Sequence, residues 1–157
     1  MQKEFISYGI HIDPFKFNRI SRSELYYVNK PAGGLWCSPV DSDFGWKDWC
    51  LCEGFRENRL NSWTKFELKD SAKILVIDSL QDLEEVFDKY PLVIRGETCL
   101  DFQAIERDGY DGVFLTDHGN SECHFPRFSK FGIDLNSWDC ESMVLFNLDH
   151  IEIEEIV

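Results

Sequence analysis

Within Trp138–Asn147 the chain reads Ser142-Met143-Val144-Leu145-Phe146, and this run constrains the fold more than any other. At a period of two, Met143 and Leu145 share a face with Glu141, while Ser142, Val144 and Phe146 share the other with Cys140. Apolar side chains on both faces suit a strand covered on both sides, so it is expected in the middle of a sheet. Glu141 stands where that strand enters the core. A carboxylate there is costly to desolvate unless it is paired or used. The plain alternative is a strand end in water.

The rest of the chain reads as more strand than helix. Strands are expected over residues 5–12, closed by Asp13-Pro14, and over 25–28, 35–38, 62–68, 72–77, 110–115 and 151–156. The last of these, with its alternating Ile and Glu, suits a sheet edge. Residues 15–20 suggest a short turn or helix. A helix carrying Trp46, Trp49 and Cys50 on one face is expected after a cap at Asp43. Ser79-Leu80-Gln81-Asp82 resembles a capping box and opens a helix to about Lys89, and another helix spans about 101–108, ended by Gly109. Residues 116–136 are polar and punctuated by Pro126, which suggests a surface excursion or lid. The order is that of a single α+β domain over residues 1–157, with a few short helices.

Charge excludes some functions. Sixteen basic residues stand against 29 acidic ones, a formal net charge of -13. Nucleic acids and anionic membranes bind basic footprints, so neither is an expected partner, although a local basic pocket remains open. Neither a signal-peptide run nor a stretch of transmembrane length is present. The six cysteines include no CxxC pair, and reduced thiols in a cytoplasmic protein are expected. His118, Cys123 and His124 offer three metal ligands without a clear fourth, so no metal is expected. The aromatic share, 15%, exceeds what a minimal core needs and leaves rings to line a groove for a planar ligand.

The most distinctive local motif is Lys30-Pro31-Ala32-Gly33-Gly34-Leu35-Trp36-Cys37-Ser38. Its glycines allow close backbone approach, Lys30 adds a charge, Trp36 a wall and Ser38 a hydroxyl. A hairpin turn with a core Trp is the structural alternative. It is not a phosphate loop, because the Lys precedes the glycines and no helix follows directly.

Taken together, Tyr8-Gly9 in the first strand, Gly-Leu-Trp-Cys-Ser, an aromatic helix, Tyr110-Asp111-Gly112-Val113 and Trp138-Asp139-Cys140-Glu141-Ser142 running to Phe146-Asn147 resemble the ADP-ribosyltransferase fold. The similarity is closest to small bacterial and phage members with Lys-Pro-x-Gly-Gly-Leu-Trp, and it runs from about Phe5 to Ile151. The resemblance implies a split β-sheet whose cleft holds NAD as substrate, with no metal. It implies that Glu141 is the catalytic acid. Tyr8, Gly9 and His11 would sit at the nicotinamide-ribose edge, and Lys30, Gly34, Trp36, Ser38 and Trp49 would form the rest of the NAD site, with Trp46 as a further wall. ADP-ribose would pass to a protein or to a small or nucleotide acceptor. Members usually carry Arg or His where Tyr8 stands. A module of the same fold that binds ADP-ribose, a nucleotide or a protein without turnover is the alternative expectation.

The chemistry suits these residue types. Cleaving the nicotinamide–ribose bond develops an oxocarbenium-like centre. A carboxylate held to the ribose 2′-hydroxyl stabilises charge that grows only in the transition state.

Overall fold

A computed structural model describes residues 4–9, 12–14 and 16–157, with residues 22–27 described by the course of the backbone alone. In chain order the elements are β1 (Glu4–Tyr8), β2 (Ser21–Tyr27), β3 (Lys30–Ala32), β4 (Leu35–Pro39), α1 (Trp46–Glu53), β5 (Trp63–Leu68), β6 (Ile74–Ile77) and α2 (Leu80–Lys89). There follow β7 (Pro91–Ile94), β8 (Glu97–Leu100), α3 (Phe102–Arg107), β9 (Gly112–Leu115), α4 (Asp117–Cys123), β10 (Ser142–Leu145) and β11 (Ile151–Ile156). A single 3-10 turn covers Glu57–Arg59.

Seven strands form one mixed sheet in the order β11-β5-β1-β4-β10-β9-β6, and β2–β3 and β7–β8 are separate two-stranded ribbons. Every ladder in the large sheet is antiparallel except β6–β9. The chain is therefore a single-domain α+β protein. The strand over residues 142–145 takes the central place expected of it, between β4 and β9, with all four residues buried. Its two faces serve two cores. Val144 and Phe146 pack with Ile77, Leu83, Ile105, Trp138 and their neighbours. Met143 and Leu145 pack with Phe5, Leu35, Phe66 and Phe114.

Local chemistry explains most boundaries. The first strand stops at Tyr8, earlier than expected, because Gly9 turns with φ +80 and donates its N–H to Ser62 O at 2.7 Å. Residues 16–20 form no helix. Helix α1 starts after Gly45 rather than at Asp43, and the Asp48 carboxylate accepts the Gly45 N–H at 2.9 Å. At α2, Ser79 Oγ accepts from Asp82 N, whereas the Asp82 carboxylate reaches back to Asp78 N. Residues 116–136 are not a free excursion: Thr116 caps α4, and Ile133 and Leu135 are wholly buried. The β7–β8 hairpin was not anticipated from the sequence. It turns on Arg95 and Gly96, both at positive φ, as a tight two-residue hairpin turn requires.

The paired glycines also have a structural purpose. A Cβ on Gly33 would lie 2.3 Å from Arg19 O, and one on Gly34 would lie 2.7 Å from Val144 Cγ2. The close approach they permit is to the protein's own backbone and core.

Candidate functional site

A cleft of about 920 Å³ opens where the large sheet comes apart. Strands β1 and β4 pair at Phe5↔Pro39 and Ile6↔Ser38 only. Beyond that point β1 stays with β5, through Ser7↔Thr64 and Tyr8↔Trp63, while β4 stays with β10 through Cys37 and Trp36. Ser7 Oγ donates to Trp36 O at 2.9 Å and bridges the start of the gap. The split in the sheet is thus a local loss of one ladder, and the cleft fills it.

Tyr8, Lys30, Gly34, Trp36, Ser38 and Trp49 all line this cleft. Six residues that the sequence spreads over 42 positions are brought together. Gly9 follows as the residue that carries β1 out of the sheet, with Arg59 Cβ only 3.0 Å from where a Cβ would stand. His11 lies outside the described residues.

The inner end is built on Ser38, which is buried. Its hydroxyl donates to Glu141 O at 2.9 Å and accepts the Trp46 N–H at 3.0 Å, tying the entry of β10 to the start of α1. One wall is aromatic. Trp46 and Trp49 stack at 5.0 Å with 20° between planes, and Phe55 meets both edge-on at 6.1 and 5.3 Å. The facing wall carries the charge. Lys30 Nζ donates to Ser137 O at 3.2 Å and to Asp139 Oδ2 at 3.3 Å, and it stands 5.4 Å from the Trp36 ring and 5.9 Å from the Trp46 ring. Lys30 is thereby held as a directed cation beside aromatic faces. Burial, with the charge of Asp48, pushes the Tyr8 hydroxyl above its ordinary value, so it stays a neutral donor.

Glu141 is placed differently from Asp139. Its carboxylate accepts from the Ser42 hydroxyl and from the Asp117 backbone N–H. It stands just before β10 and is not among the residues that line the cleft, whereas Asp139, Cys140 and Ser142 are. The sequence puts the acid at a strand mouth; in the fold its carboxylate is taken up by Ser42 and Asp117 rather than by the cleft. Burial raises the Glu141 carboxyl, the Ser42 hydrogen bond opposes that rise, and the charges of Asp117 and Asp41 add to it.

Two thiols line the cleft, Cys37 and Cys140. Burial holds Cys37 well above the ordinary thiol value and Cys140 at about 12. All six cysteines are free. His118, Cys123 and His124 find separate partners in Asp78 O, Ser79 O and Trp138 O. Among the described residues only Glu4, Glu67 and Glu154 converge closely enough to hold a metal, and Lys65 already bridges Glu4 and Glu154 at 2.9 and 3.2 Å.

Sequence reasoning missed Asn29, the residue that fixes the charged wall. It is buried, with φ 61. Its Oδ1 accepts Leu100 N–H at 2.6 Å, its Nδ2 donates to Asp134 O at 2.9 Å, and its backbone carbonyl accepts Trp138 Nε1–H at 2.7 Å. A lone Asn before Lys-Pro carries little signal beyond a turn; its partners are 71 to 109 residues away. It also missed Phe55, Arg56 and Arg59 at the cleft mouth.

The chain matches no family model, no curated protein and no solved structure. Among the described residues no helix is long and apolar enough to cross a membrane.

Proposed function

We propose that the protein is an NAD-dependent mono-ADP-ribosyltransferase that cleaves the nicotinamide–ribose bond in this cleft. The observation that carries the reading is the parted β1–β4 seam, walled by Trp36, Trp46 and Trp49 and supplied on its inside with a held cation, Lys30, in a chain of net charge -13. Rings of that size suit a planar heterocycle, and a held ammonium suits a phosphate. The Tyr8 hydroxyl supplies a donor for a ribose, and the Ser142 hydroxyl, which donates to Cys140 O at 2.8 Å, supplies an acceptor. The six free cysteines suit a reducing, cytoplasmic setting.

Two carboxylates compete for the role of stabilising the oxocarbenium-like centre. Glu141 is the acid the sequence pattern favours, anchored to the cleft floor through its carbonyl and Ser38. Asp139 is the one whose carboxylate already faces the cleft, beside Lys30. The orientation of Glu141 favours a second reading, a module of similar shape that holds NAD or ADP-ribose without turnover.

One experiment separates these. Purified protein is incubated with NAD and free nicotinamide is followed, with Glu141→Gln and Asp139→Asn alongside. Release by the wild type and by Asp139→Asn, but at least about a hundredfold less by Glu141→Gln, assigns the acid to Glu141, since stabilisation of developing charge is typically worth that much. The reverse pattern assigns it to Asp139. An absence of release combined with a rise in melting temperature on adding NAD favours the binding module, because a ligand of the native state alone must raise stability. Neither release nor a shift would sink both readings.

A further inference from the structure

The cleft carries cations at two depths. Lys30 lies inside, 20% exposed and paired. Arg56 and Arg59 lie at the mouth, both exposed, on the short segment after α1. Among the described residues neither arginine takes part in an ion pair, although acids outnumber bases almost two to one in this chain. Arg56 is also held. Its backbone is left-handed, φ 48, and its guanidinium stands 4.9 Å from the Phe55 ring centroid. Phe55 in turn abuts the Trp46–Trp49 stack. The mouth therefore joins planar ring faces to two guanidiniums free to bind an anion. Base stacking plus fork-shaped donors is the chemistry that recognises an aromatic base bearing a phosphate.

We propose that this mouth, made by Phe55, Arg56 and Arg59 against Trp46 and Trp49, is the acceptor subsite and that the acceptor is a free nucleotide. The inference rests on the transferase reading above and adds the class of molecule that receives ADP-ribose. Two observations favour a separate subsite over further contacts to the dinucleotide. Lys30 already supplies an inner cation. Of the outer pair, Arg59 packs against Gly9, past the end of β1. The global charge chooses between a free nucleotide and a strand. Two guanidiniums satisfy one phosphate group, whereas each further phosphate of a polymer meets the field of a chain at -13.

The step balances without a further reactant. The C1′–N bond to nicotinamide breaks with its electron pair leaving on nicotinamide. A nucleophilic oxygen or nitrogen of the bound nucleotide bonds to C1′, and its proton passes to solvent.

The test follows nicotinamide release by the intact protein with NAD alone, then with AMP, GMP, CMP or UMP, then with a single-stranded oligonucleotide. Products are weighed by mass spectrometry. The variant is Arg56→Asn with Arg59→Gln, since Asn tolerates the left-handed backbone at position 56. At least one mononucleotide is expected to speed release and to gain the mass of one ADP-ribose. In the variant that acceleration falls about tenfold or more, the loss of a charge-assisted contact, while release with NAD alone and its KM for NAD stay unchanged. A raised KM for NAD in the variant assigns the arginines to the dinucleotide and overturns the proposal. Acceleration by the oligonucleotide alone overturns it in favour of a strand. Release by the wild type that no nucleotide accelerates overturns it and leaves the transferase reading standing. No release under any condition removes both.

Discussion

Glu141 sits in conflict between two demands. Its backbone belongs to the entry of the central strand, where Ser38 and Phe44 O hold it, and the residue is 9% exposed, with Asp41 and Asp117 near its carboxylate. Burial raises its pKa, so the folded state binds a proton more readily than the unfolded chain does. The sign of the consequence is fixed. Between the unfolded value, near the ordinary 4.5, and the raised folded value, the native state carries more protons, so stability falls as pH rises through that window. Glu141→Gln removes the titrating group while keeping the size and one acceptor oxygen for Ser42. It is therefore expected to be at least as stable as the wild type at pH 7, with its relative advantage shrinking as pH is lowered through that window toward 4.5. Urea melts of both proteins across that range check this. A variant markedly less stable at neutral pH would mean that the Ser42 and Asp117 hydrogen bonds outweigh desolvation. At this scale the sequence was legible in type more than in direction. It identified an acid at the mouth of the central strand and a set of cleft residues, because those are matters of residue identity and spacing. The face that Glu141 presents, and the three partners of Asn29, depend on where the strand begins and on contacts across 71 to 109 residues, which local pattern does not carry.

Among the elements, the β4–β10 ladder is the one on which the cleft depends. Gly34 enters it with φ +72 at the point where Val144 crosses. Gly34→Ala imposes a left-handed alanine, at about 1–2 kcal/mol, and an overlap with Val144 Cγ2 and Leu145 O, at about 1–3 kcal/mol by analogy with overpacked cores. Adding Val144→Ala relieves the side-chain overlap but neither the backbone strain nor the approach to Leu145 O. The double variant is thus expected to lose less stability than the two single losses added together, and denaturant melts of the cycle measure the difference. Strict additivity would mean that the strand moves aside and the close approach does not matter. The strands at 35–38 and 62–68 and the helix at 80–89 were readable because alternation, helical period and a Ser cap agree there. The β7–β8 hairpin was not, because Pro91-Leu92-Val93-Ile94 and Thr98-Cys99-Leu100 are short and the turn is Arg-Gly rather than Asn-Gly or Asp-Gly. The segment 124–136 looks like a loop by composition, yet Ile133 and Leu135 at its end close the core beside Trp138.

For the whole molecule, charge sets the background against which the cleft works. A net charge of -13 over 157 residues means that folding brings like charges closer together, and the sheet ends on β11, whose Glu152, Glu154 and Glu155 are exposed. Local pairs oppose this: Lys65 joins β1, β5 and β11 through Glu4 and Glu154, and Arg19 reaches Glu106 at 2.9 Å. Exposed pairs of this kind contribute about 0–1 kcal/mol each and weaken in salt. The repulsion is spread over an excess of thirteen charges and acts over a longer range, so it responds more strongly to screening. Raising sodium chloride from about 10 mM to about 150 mM shortens the Debye length from about 30 Å to about 8 Å. Over that interval the melting temperature is expected to rise, by roughly 2–4 °C for each 1 kcal/mol gained in a chain of this length. A fall would mean that the ion pairs on β5 and at Arg19 dominate the surface energy. The same field acts on an anionic ligand before it reaches Lys30. If the cleft takes a phosphate-bearing ligand, its association rate should climb over the low-salt range, as repulsion from the whole chain is screened, and level off or fall once the local contacts are screened as well; stopped-flow measurements of Trp fluorescence with added NAD would follow it. A rate that only falls with salt would mean that the cations in the cleft, rather than the chain's excess of acids, govern the field at its mouth.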